Sequence, residues 1–146
     1  ENEKNIQLML SKKINNALIS IGQIKTSKIR KKLFKKLKDK GFNFPIVRSP
    51  KSTISKRTII EEGTVVFHNT IINSGAKIGK NCIINSSSLI EHGVKIGDNS
   101  HIATGAIING DCEVADDSFV GSGSILKQGL KLKKNSFIKM GSVVKK

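Results

Sequence analysis

The sequence contains no Trp, no Tyr and only six Phe in 146 residues. Platforms for single-stranded nucleic acid stack bases on exposed rings, so this composition argues against one. No run of about 18 apolar residues occurs, so no segment is built to cross a membrane as a helix. The two cysteines, Cys82 and Cys112, form neither a CxxC pair nor a disulfide framework, and a reducing, cytoplasmic setting follows. Position 1 is Glu rather than Met, and no apolar leader follows it. The expectation is a chain cut from a longer parent, without a secretion signal.

Acidic residues are scarce: 11 Asp and Glu face 26 Lys and Arg, a formal net charge of +15. The imbalance is local. Residues 1–57 carry 16 basic and 3 acidic side chains, whereas residues 58–146 carry 10 and 8. Lys outnumbers Arg 23 to 3, and nucleic-acid readers that need bidentate contacts favour Arg. The basic third reads as a solvated face, and no nucleic-acid partner is expected.

What is abundant is a six-residue period. Every sixth residue from Ile54 to Val144 is aliphatic, sixteen positions in all. Two residues before each stands a second series, from Ser52 to Ser142, small at every position except Leu130. A helix repeats near 3.6 and cannot hold this pattern, whereas a strand places positions i and i−2 on one face. A short strand and a turn every six residues give a solenoid with the aliphatic series inside. A longer period of eighteen appears in Ile78-Gly79-Lys80-Asn81, Ile96-Gly97-Asp98-Asn99, Val114-Ala115-Asp116-Asp117 and Leu132-Lys133-Lys134-Asn135. Asn and Asp tolerate the left-handed backbone of a tight corner. Three hexads thus form one triangular coil, about five coils in total, and residues 18 apart are neighbours along the axis.

The N-terminal third has no such period. Residues 17–22 read as a short buried strand. Thr26 or Ser27 can cap a helix that runs to about Lys40, with Ile29, Leu33 and Leu37 on one face and Gly41 ending it. Residues 42–47 read as a second strand. The division is a partial αβ (βαβ) unit over residues 1–50 and a mainly β solenoid over 51–146.

The repeat over 51–146 resembles that of the hexapeptide-repeat acyltransferases, which implies a left-handed parallel β-helix. Three stretches of the N-terminal third sharpen the resemblance: Ile19-Ser20-Ile21-Gly22, Ile29-Arg30-Lys31-Lys32-Leu33 and Lys40-Gly41-Phe42. So do Asn85-Ser86-Ser87-Ser88-Leu89-Ile90-Glu91-His92, then Ile96-Gly97-Asp98 and His101, within the repeats. Together they are similar to the sialic-acid O-acetyltransferase and UDP-4-amino-sugar N-acetyltransferase group. The resemblance implies a homotrimer that transfers acetyl from acetyl-CoA to an amino or hydroxyl group of a sugar. The sugar would be a nucleotide-linked amino sugar or sialic acid. Three departures stand out. No Gly-rich loop precedes residue 17, Gly93 follows His92 where the group often has an acid, and no Gly-x-Pro-Ala-Lys tail closes the chain. The domain is therefore read as N-terminally incomplete, and a non-catalytic scaffold or degenerate relative is the alternative.

The chemistry centres on His92. It follows the inward Ile90 by two and so sits at a turn, and its neighbour one coil on is Gly110. A base beside a bare backbone N–H suits acyl transfer. The imidazole can take the acceptor's proton, and the N–H can meet a developing oxyanion. The resemblance makes His92 the general base and sets Gly110 beside the acetyl group of the co-substrate. What orients His92 stays open between Glu91, Asp98 and a backbone carbonyl. Gly93 predicts a slow enzyme that Gly93→Glu would speed up. His101 lies in an outward apolar stripe with Ile83, Phe119 and Phe137. It is read either as a ring in that stripe or, by resemblance, as a cofactor-binding residue at a subunit contact. Asn85 and Ser86 are candidate substrate-binding residues, and the lysines of the last coils suit the phosphates of coenzyme A. His68 and the two cysteines are expected to be structural. No metal is expected, since the three His lack a ligand-like spacing.

Overall fold

A computed structural model describes residues 3–146. Two helices, α1 (Glu3–Ser11) and α2 (Lys28–Asp39), precede seventeen two-residue strands. These run from β1 (Val47–Arg48), β2 (Thr53–Ile54) and β3 (Ile59–Ile60) to β17 (Val143–Val144). The strands form three parallel sheets of six, six and five, in which each strand pairs with those three before and after it. Partners are 18 residues apart, as in His101 with Ile83 and Phe119, so the expected coil and register are observed. The molecule is mainly a parallel β-helix of about five coils.

Sequence explains each part of a coil. The second residue of a strand points inward, and Ile72, Ile78, Ile84, Ile90, Ile102 and Ile108 are essentially inaccessible. The small series is buried as well. Many of its hydroxyls donate to carbonyls 15 residues on, as where Thr64 Oγ1 donates to Gly79 O (2.7 Å) and Ser124 Oγ to Lys139 O (2.8 Å), while Ser52, Ser88 and Ser136 donate three residues back. A buried hydroxyl without such a partner would cost free energy, so the corner geometry and the choice of Ser or Thr belong together. Asn81, Asn99, Asp117 and Asn135 hold positive φ at one corner, as the eighteen-residue period predicted.

The three faces differ outside. One carries Val47, Val65, Ile83, His101, Phe119 and Phe137, and residues 17–27 run along part of it. The second presents Thr53, Ile71, Leu89, Ile107, Ile125 and Val143, an aliphatic stripe from Ile71 onward with no covering element. The third presents Ile59, Lys77, Lys95, Glu113 and Lys131, with Glu113 bridging Lys95 (3.1 Å) and Lys131 (3.4 Å). These are called the covered, apolar and charged faces below.

The N-terminal third keeps the expected helix and loses most of the expected strand. Helix α2 ends at Gly41, whose φ is +92° and whose N–H donates to Lys38 O. Residues 17–22 are not a strand. A single parallel bridge, Asn16 with Asn43, is what remains of the βαβ pairing. Two causes are visible. The carbonyls of Ile19 and Ile21 are taken by the Arg30 guanidinium instead of a neighbouring strand. Pro45 interrupts residues 42–47, and Val47 joins the first coil. Phe42 and Phe44 are buried with Ile6 and Ile19 in a small separate core. The inward position on α2 is Arg30 rather than Ile29, which is 64% exposed. Arg30 Nε also donates to Asn81 O, and Nη2 lies 3.5 Å from Gly63 O. One buried side chain thus joins α2, the 19–21 segment and two coils.

Candidate active site

His92 sits on the corner between the apolar and charged faces, two residues after the inward Ile90. Its ring lies against the backbone of Gly110, one coil away. A Cβ added to Gly110 would come within 2.6 Å of both Cε1 and Nε2. Any side chain at 110 would therefore push the imidazole off its place, which gives that glycine a steric reason. Among the described residues the Gly110 N–H donates no intramolecular hydrogen bond, whereas its neighbours Asn109 N and Asp111 N donate to Leu126 O and His92 O. A base and an unused backbone donor are thus in contact, the pair that the eighteen-residue rule predicts.

The open question of the orienting group has a structural answer in part. Asp98 faces elsewhere and accepts from Lys80 N (2.8 Å). Glu91 Oε2 accepts from Asn73 Nδ2 (2.9 Å) and from the His92 backbone N–H (3.3 Å), away from the ring. The carboxylate in range of the ring is Asp111, whose Oδ1 is 3.9 Å from His92 Nδ1. Sequence reasoning passed over it, although the eighteen-residue rule applied to Gly93 leads straight to 111. A Cβ on Gly93 would collide with Asp111 Oδ1, and Gly93 has φ +67°. An acid at position 93 would therefore have to displace the Asp111 carboxylate and take a strained backbone.

The other candidates form a second cluster. Asn85 and Ser86 lie on the corner between the covered and apolar faces, and Asn85 Nδ2 is 3.4 Å from His101 Nε2. His101 is 8% exposed, edge-on to Phe119, and its Nδ1 is 2.6 Å from Gln23 O. Burial lowers its pKa, while the Gln23 contact acts in the opposite direction. A groove of about 250 Å³ lies beside it, lined by Leu18, Ile21, Arg30, Phe67 and Asn85. His101 thus meets its own N-terminal segment. Within one chain, His92 and Gly110 come together, and Asn85, Ser86 and His101 lie across the apolar face from them.

The remaining titratable groups read as structural. His68 Nδ1 is 2.6 Å from Ser49 Oγ. Cys82 and Cys112 are buried in the small series, and burial pushes the Cys82 thiol up to about 12. Lys131 and Lys134 of the last coils are paired with Glu113 and with Asp116 and Asp117.

Comparison with known proteins agrees with the fold. Residues 93–128 match the family model for the bacterial transferase hexapeptide (six repeats). Residues 75–109 and 114–146 match that for the hexapeptide repeat of succinyl-transferase. The acetyltransferase domain of PglB from Neisseria gonorrhoeae, solved in complex with acetyl coenzyme A, superposes with a TM-score of 0.87 at 22% identity. The match covers 95% of this chain and 67% of that one. WeeI from Acinetobacter baumannii is 31% identical with a TM-score of 0.83, over 90% of this chain and 63% of the other. A His-to-Asn variant of perosamine N-acetyltransferase from Caulobacter crescentus, in complex with CoA and GDP-perosamine, gives 0.69 at 20% identity, over 89% and 69%. The chain spans about two thirds of the length of these proteins. Its repeats match the hexapeptide models from residue 75 to the end, and its coil geometry is the fold that these proteins share.

Proposed function

We propose that this chain is the acyl-transfer part of an acetyl-CoA-dependent sugar acetyltransferase that works as a homotrimer. The observation that carries the reading is the His92 ring lying on the bare backbone of Gly110, at the edge of an uncovered apolar face. Acetyl-CoA supplies an activated acyl thioester, so no nucleophilic side chain is needed. His92 takes the proton from the acceptor's amino or hydroxyl group as that group attacks. The free Gly110 N–H offers a donor where negative charge develops on the acyl oxygen, and collapse of that intermediate breaks the C–S bond, with the departing coenzyme A thiolate taking the proton that His92 holds.

The position of the two clusters supports the trimer. A threefold interface is heterologous: one patch on a protomer meets a different patch on the next. The corner with His92 and the corner with Asn85 and Ser86 border opposite edges of the same apolar face. Packing through that face brings His92 of one protomer toward Asn85 and Ser86 of another, which bind the acceptor sugar. His101 stands behind Asn85, so its part in the groove is to hold Asn85 in place.

The test is a thermal shift with acetyl-CoA on protein of measured oligomeric state. Specific binding raises Tm with ligand concentration by mass action. His92→Gln is expected to keep that shift and to lose about 10²–10⁴-fold in transfer to an amino-sugar acceptor. A trimer showing no shift at millimolar acetyl-CoA would instead be a non-catalytic scaffold.

A further inference from the structure

The corner that holds His92 repeats every 18 residues, and its last position carries Gly75, Gly93, Asp111 and Gly129. All four have positive φ: +76°, +67°, +58° and +73°. Glycine adopts that conformation without strain, and three coils use it. Asp111 is the exception, and it stands one coil above the His92 corner. Aspartate tolerates that backbone, as Asp117 does at another corner, so the reason for a carboxylate in place of the glycine of the other coils lies in its surroundings.

The surroundings supply one. Asp111 N–H donates to His92 O (2.9 Å), so the two residues are tied through the backbone. Asp111 Oδ1 lies 3.9 Å from His92 Nδ1, on the side of the ring away from the free nitrogen that lies over Gly110. The missing Cβ of Gly93 leaves the space that this carboxylate occupies. Glu91 is engaged with Asn73 and with backbone, and Asp98 with Lys80 N. The corner's other titratable groups are Lys56 and Arg57 below His92 and Lys127, Lys145 and Lys146 above Asp111, on other coils.

We propose that Asp111 is the positioning carboxylate of His92, reaching from the next coil to do what an acid beside the histidine would otherwise do. Gly93 and Asp111 are then one exchange: the carboxylate has moved by one coil, and the glycine makes room for it. Asp111 accepts a hydrogen bond from Nδ1–H, holds the ring in that tautomer, and leaves the Nε2 lone pair free to take the acceptor's proton. At 3.9 Å Oδ1 stands beyond hydrogen-bond distance of Nδ1, so in this proposal it closes on Nδ1–H in the substrate complex, where catalytic hydrogen bonds tighten.

This inference rests on the general-base reading of His92, and the experiment separates the two. The histidine tautomer is read in the intact protein by ¹⁵N NMR with labelled His, without acceptor, at a pH where the rings are neutral. The wild type is expected to show His92 protonated on Nδ1, and Asp111→Asn and Asp111→Gly to move the proton toward Nε2. Asp111→Gly is expected to keep or raise Tm, since glycine suits φ +58°, so loss of fold does not confuse the result. In transfer from acetyl-CoA to a UDP-linked 4-amino sugar, Asp111→Asn should lower kcat by about tenfold with KM for acetyl-CoA unchanged. An unchanged tautomer and kcat in both variants, with His92→Gln inactive, overturns the role of Asp111 alone. Unimpaired transfer by His92→Gln overturns the general-base reading instead.

Discussion

Two buried residues tie the N-terminal third to the solenoid, and each leads to a measurable consequence. Arg30 donates to the carbonyls of Ile19, Ile21 and Asn81, and it is 2% exposed. Truncation leaves buried carbonyls without partners, so Arg30→Ala should cost about 3–5 kcal/mol in denaturant unfolding. Arg30→Lys should recover little, because one ammonium cannot reach acceptors spread around a planar fork. His101 gives the pH dependence. Burial, the larger influence, holds its pKa below the ordinary 6.5, against the Gln23 contact. The unfolded chain then binds a proton that the folded chain refuses. The stability associated with a neutral His101 is complete above about pH 6.5 and falls as pH drops toward the lowered folded value. His101→Gln should flatten that slope in unfolding curves taken between pH 7 and pH 5. An unchanged slope would assign the acid sensitivity to other groups.

Each coil rests on its neighbours, so elements in the middle and at the ends should differ in stability. Ile102 and Ile108 are wholly enclosed, whereas Ile138 and Val144 in the last coils are only partly buried. Ile102→Ala should cost about 3–4 kcal/mol and Ile138→Ala about 1, with amide exchange fastest in the terminal coils. Equal costs would mean that the ends are capped as firmly as the middle. The same geometry explains what the sequence disclosed. The inward series from Ile54 to Val144 announced the solenoid because every coil imposes one constraint at one spacing. That spacing also named His92 and Gly110 as neighbours. The N-terminal third lacked such redundancy. An apolar run at 17–22 suits a strand and suits equally a segment whose carbonyls an arginine takes, and only the folded chain shows Arg30 inward. Asp111 escaped for a different reason. Its role depends on side-chain direction at a positive-φ corner, which a one-dimensional spacing rule leaves undefined.

For the whole molecule, the three faces present unequal surfaces to water. The N-terminal segment lies along one, and charges cover another. The third exposes Ile71, Leu89, Ile107, Ile125 and Val143 in line, with Ile71 42% and Val143 59% exposed. At the inter-strand spacing this stripe is about 19 Å long, a continuous apolar surface of the sort that marks an interface. Placing a charge at its centre should therefore act on assembly and spare the fold. Ile107 points outward, so Ile107→Lys should leave the circular dichroism spectrum unchanged while shifting the light-scattering mass from trimer to monomer. Lys77→Gln on the charged face should leave the trimer intact. The sharper consequence concerns the site. If His92 of one protomer works with Asn85 and Ser86 of the next, monomeric Ile107→Lys should lose acetyl transfer even though His92, Gly110 and Asp111 remain in place. Full activity in a confirmed monomer would confine the site to one chain, and Asn85 and Ser86, across the apolar face from His92, would have no part in it.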